Sequence, residues 1–111
     1  MERASLLGRL DLAVRSMGGS LLANEGGASA KREALGGVFW IDDEIGRAAR
    51  GCPPLEPALR AMQLEVNSMT IAIKRDRLDA AREAFGRVES CLERVREEER
   101  RLRPSSPALG R

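Results

Sequence analysis

The C-terminal half of the chain carries an apolar stripe that breaks register once, and the break limits the folds open to it. Leu55, Leu59, Met62, Val66, Met69 and Ile73 follow one another in steps of three and four, then the pattern restarts as Leu78, Ala81, Phe85, Val88, Leu92, Val95 and Leu102. Such steps place side chains on one side of an α-helix. The longer step from Ile73 to Leu78 fits no single helical face. Two long helices joined by a turn at Lys74-Arg75-Asp76-Arg77 are therefore expected, one starting between Pro54 and Pro57 and the other running to about Arg103. Proline is accepted in the first helical turn, where its missing N–H is not needed.

The N-terminal half repeats the spacing more loosely. Leu7, Leu10, Val14, Met17 and Leu21 form one line, and Ala34, Val38, Ile41, Ile45 and Ala48 form another. Each is interrupted by a glycine pair, Gly18-Gly19 and Gly36-Gly37. Either pair can end a helix or admit a close neighbour. The unbroken stripe through Leu21 favours a continuous, bent first helix. The loop is expected at Asn24 to Ser29, with Ser29 as an N-cap, and Gly51-Cys52-Pro53-Pro54 stops the second helix. Asp76 is expected to cap the fourth helix, and Glu97–Arg101 and Glu99–Arg103 to pair along it. The fourth helix is expected to outrun the others by about two turns.

These elements predict an all-α fold, a small antiparallel bundle of four helices with a long C-terminal helical hairpin. Residues 1–103 form the single domain and 104–111 a disordered C-terminal tail. At 111 residues the chain can bury a real core, and aromatics at 3% leave that core to Leu, Val, Ile, Met and Ala. Short connections make sequential helices antiparallel neighbours. The region from Ala72 to Val88 resembles half of a tetratricopeptide repeat at Asp76, Ala81 and Phe85, but no period of roughly 34 residues recurs, so it carries no function across.

Composition removes much chemistry. There is no histidine and no tyrosine, which excludes a Ser-His-Asp triad, a Cys-x-x-Cys-His haem attachment and a Glu-x-x-His metal site. Cys52 and Cys91 lack metal-ligand spacing and read as reduced thiols, Cys91 as a buried structural one. Asp42-Asp43-Glu44 is a dense acidic cluster, but neighbouring helical residues point about 100° apart, so a solvated face is expected. Met62 and Met69 read as core. In the run Arg94, Arg96, Arg100, Arg101, Arg103 the cations are interleaved with Glu93, Glu97, Glu98 and Glu99, as on a solvated or coiled-coil flank. No stretch is apolar enough to span a membrane and no signal peptide is evident, so the chain reads as cytoplasmic.

No catalytic, cofactor-binding or metal-binding residue is assigned from the sequence, and no cofactor or small-molecule substrate is expected. The leading expectation is a non-enzymatic interaction module: a small subunit, adaptor or chaperone that meets a protein partner or its own copy through helices. The partner-binding candidates are Trp40, Phe39, Leu92, Val95 and Leu102. The alternative is a nucleic-acid-associated protein using the Arg-rich last helix.

Overall fold

The structure, a computed structural model, describes the backbone of residues 2–23 and 28–102 and the side chains of residues 7–19 and 31–102. Among these residues there are four α-helices and no strand: α1 (Glu2–Ala23), α2 (Ala28–Gly51), α3 (Glu56–Lys74) and α4 (Leu78–Leu102), with one 3₁₀ turn at Pro53–Leu55 before α3. The expected tail at 104–111 lies outside the described residues.

Each stripe meets the others in one core. Leu10, Val14, Ile41, Leu59, Met62, Val66, Met69, Val88 and Val95 are essentially inaccessible to solvent. The helices form a ring in which α1 touches α2 and α4, and α3 touches α2 and α4, while the diagonal pairs stay apart. Neighbours run antiparallel throughout. On α1, Asp11 and Gly18 meet Arg96 and Phe85 of α4, in reversed order. On α2, Lys31 and Asp42 meet Lys74 and Gln63 of α3, again reversed. The broadest seams are α3–α4 and α1–α2.

Both glycine pairs are helical, and each holds one packing glycine and one open one. A Cβ at Gly18 would stand 2.8 Å from Cζ of Phe85, and one at Gly37 would stand 3.3 Å from Met17. Gly19 and Gly36 have nothing within 4 Å of that position. Bare backbone therefore lets α4 insert its single large ring against α1, and lets α1 seat Met17 on α2. The helices continue through these pairs because the approach they permit is part of the core.

Several local expectations are corrected. The helix containing Ser29 begins one residue earlier, at Ala28, so Ser29 is not its N-cap. Asp76 does not cap α4. Its φ of 58° is left-handed, and the backbone closes α3 behind it: Asp76 N–H donates to Ile73 O at 3.0 Å and Arg77 N–H to Ala72 O at 2.8 Å. This pair of bonds is the Schellman closure. Lys31 reaches the same end, donating to Lys74 O at 3.1 Å and pairing with Asp76 at 3.3 Å, a cation placed where helix carbonyls point outward.

The fourth helix does not project. Val95 is fully buried and Glu99 is only 3% exposed, because the 3₁₀ turn lengthens the third rod and Leu55, 1% exposed, plugs the end of the bundle. The ion pairs near this end also differ from expectation, running Arg100–Glu97 and Arg101–Glu98 at i,i+3. Glu99 is drawn inward by its stripe position, and Arg103 lies outside the described residues. Met62 and Met69 are both core, at 0% exposure.

Two stability outcomes are expected in urea or thermal unfolding. Gly18→Ala lowers stability by about 1–3 kcal/mol, since the added methyl would displace the buried Phe85 ring, whereas Gly19→Ala and Gly36→Ala each raise it by up to about 1 kcal/mol. Asp76→Gly raises stability by up to about 1 kcal/mol, because relief of the left-handed backbone outweighs an exposed ion pair, while Asp76→Val lowers it.

Candidate interaction surface

Residues one apart on a helix diverge by about 100°, so Phe39 and Trp40 cannot share a patch. Gly37, which meets Met17, marks the α1 side of α2, and Trp40 lies one turn beyond it. Asp42, which meets Gln63, marks the α3 side, and Phe39 lies one turn before it. Phe39 is 76% exposed and Trp40 is 38% exposed. Leu102, also 38% exposed, ends α4 and stands apart from both.

Leu92 and Val95 do not belong to an open surface. They are 4% and 0% exposed, and the stripe they occupy is covered by the chain's own helices. Their helical spacing is the same whether the cover comes from this chain or from another, which is why the sequence could not separate the two.

The side chains that accompany Phe39 were not anticipated. Leu64 and Ile71 on α3 are 67% and 52% exposed. They stand seven residues apart on the side opposite the core stripe, a spacing that returns to nearly the same helical angle. That repeat was the available signal. Leu64 follows Arg60 by one turn, on the α2 side of α3, and antiparallel register sets Phe39 level with the interval between Leu64 and Ile71. Half-buried Leu35 lies one turn from Phe39 and packs on the core below. The result is a groove along the α2–α3 seam with apolar walls on both sides.

Toward the end of α2 the same seam holds a cleft of about 240 Å³, lined by Ile45, Gly46, Ala49 and Leu59 together with the polar Arg50, Glu56, Arg60 and Gln63. Arg60 is held by Glu56 at 2.9 Å. Such a cleft has room for one side chain or a small group.

The acidic cluster is not a uniformly solvated face. Asp43 is exposed and pairs with Arg47 at 3.1 Å, as expected of such a face. Glu44, by contrast, is 6% exposed, and its Oε1 is buried without a hydrogen-bond partner. Asp42 is half-buried; burial pushes its carboxyl above the ordinary value of 3.8, partly opposed by the hydrogen bond from Gln63. The three carboxylates diverge around α2, and no group of three or more metal-ligating side chains gathers among the described residues.

The remaining candidates sit as follows. Cys52 is buried beneath the 3₁₀ turn and Cys91 is half-buried, both free thiols. Burial pushes the Cys91 thiol up, with Glu65 adding to the effect and Arg94 opposing it, so little thiolate forms near neutrality. On α4, Arg96 bonds Asp11 at 2.7 Å, and Arg100 and Arg101 are matched by glutamates one turn earlier. No helix among the described residues is long and apolar enough to cross a membrane.

The Asp42 carboxyl supplies a pH-dependent outcome. A raised folded-state pKa means that ionisation weakens the fold: stability falls as pH rises from the unfolded value through the folded one. Asp42→Asn therefore raises the melting temperature at neutral pH, and the gain over wild type shrinks as pH is lowered through about 4, read by circular dichroism melts across pH. Comparison with protein-family models, with curated proteins and with solved structures found no match for this chain.

Proposed function

We propose that this chain is a non-enzymatic helical interaction module, a small subunit, adaptor or chaperone of a larger cytoplasmic assembly, which meets its partner by helix packing. The observation that carries this reading is the large apolar surface left outside a completed core. With Leu10, Ile41, Met62, Val66, Val88 and Val95 already enclosed, Phe39, Leu64 and Ile71 still stand more than half exposed along one seam. Covering a side chain of this size is worth about 1.5–3 kcal/mol. Scattered exposed apolar residues are ordinary, but several aligned along one groove are the mark of an interaction site.

The nucleic-acid alternative draws no comparable support. Its arginines on α4 are largely matched by carboxylates within the chain, and binding to phosphate backbones scales with unopposed cations.

Size-exclusion chromatography with light scattering, together with affinity purification from the native source, tests the proposal. A stoichiometric complex or oligomer is expected, weakened by Phe39→Ser with Leu64→Ser while helicity is unchanged. A strictly monomeric chain that co-purifies with nothing in defined stoichiometry refutes it. Gel-shift assays at low salt are expected to show no retardation of DNA or RNA.

A further inference from the structure

The seam between α2 and α3 is bounded by charge as well as by apolar walls. Arg32, Lys74 and Arg75 stand toward its turn end and Arg50 at the other. All four are exposed, and none forms an ion pair within the described residues. Three acids of the same face are ion-paired, Glu56 with Arg60, Asp76 with Lys31 and Asp43 with Arg47, while the half-buried Asp42 is hydrogen-bonded by the neutral Gln63. The face therefore carries the exposed Phe39, Leu64 and Ile71 around a polar Asp42–Gln63 pair, with unpaired cations at both ends.

Building on the module reading above, we infer that this groove is a docking site for an acidic amphipathic helix of another protein. The stretch from Lys31 to Arg50 spans about 28 Å at about 1.5 Å per residue, the length of roughly five helical turns. A helix laid along it places its apolar face between Phe39 on one wall and Leu64 and Ile71 on the other. One larger side chain enters the cleft beside Gly46, which has no side chain of its own to fill it. Carboxylates toward the two ends of that helix meet Arg32, Arg75 and Arg50.

Charge also decides against other occupants. A second copy presenting the same face would bring these cations against one another, which costs affinity. The outer side of α4 carries acids at Glu83, Glu89 and Glu93, but no exposed large hydrophobic residue lies between Glu83 and Glu97 to enter the groove. An anionic bilayer can lie against the walls, yet its surface cannot place a side chain into the cleft.

Selection from a displayed library of helical peptides against the intact protein tests the inference. Selected peptides are expected to carry apolar residues at i, i+3 or i+4 and i+7 flanked by Asp and Glu. Their affinity, read by fluorescence anisotropy, should fall at least about tenfold for the Phe39→Ser, Leu64→Ser variant and weaken with added salt. Because the substituted residues are exposed, the far-ultraviolet circular dichroism of the variant should match wild type. Peptides that bind the variant equally but lose affinity to Trp40→Ala overturn the groove and leave the module reading standing. Net basic or neutral winners overturn the acidic partner. Failure to enrich any helix overturns the docking site and leaves the module reading to the chromatography and co-purification above. Co-sedimentation with phosphatidylserine-containing vesicles that depends on Phe39 and Leu64, without peptide binding, assigns the face to lipid and also overturns the proposal.

Discussion

Four narrow apolar stripes must cover one another in a core nearly without aromatic side chains, and the one ring that enters it, Phe85, has to be given room. Helices built on Leu, Val and Met pack with their axes roughly 8–10 Å apart, and a ring inserted into such a seam either pushes the rods apart or finds a position without a side chain. Gly18 is that position, with 2.8 Å between its notional Cβ and the ring. Gly37 performs the same service for Met17. These two contacts lie at similar height in the bundle and lock α1 onto both of its neighbours, so the ring of helices closes. The weak helix propensity of a glycine pair is the consequence.

The ends of the bundle are finished by backbone chemistry rather than by side-chain caps. The left-handed Asp76 and the bonds from Asp76 and Arg77 to Ile73 and Ala72 close α3 and turn the chain into α4. At the opposite end Cys52 and Leu55 fold inward under the proline-started 3₁₀ turn, where the Cys52 N–H still bonds Ala48 O at 2.9 Å. The charged network on the outside is extensive, but exposed pairs contribute little each. The exception in setting is Asp11, 19% exposed and gripped by both Arg15 and Arg96, which ties α1 to α4 across the seam with the least packing.

The surface left over is uneven. The outside of α4 is polar along most of its length and most of its cations are paired, whereas the α2–α3 side exposes Phe39, Leu64 and Ile71 and leaves several cations unpaired. Such asymmetry does not help an isolated domain stay soluble or folded.

How much of this was legible follows from what periodicity reports. The three-four spacing of Leu55 to Ile73 and Leu78 to Leu102 determined helices, their number and the turn between them, because spacing along a chain maps directly onto faces of a rod. Gly51-Cys52-Pro53-Pro54 determined the stop, because proline and glycine act on their own backbone. What faces each stripe is not a local property. Leu92 and Val95 proved to be interior because α1 and α3 pack against α4, and Glu44 proved buried although its two neighbours diverge to other sides. Leu64 and Ile71 became a wall only when antiparallel register brought Phe39 opposite them. Local side-chain geometry set the rods; the pairing of rods distant in sequence decided which residues are core, which glycines carry contacts and which surface remains open.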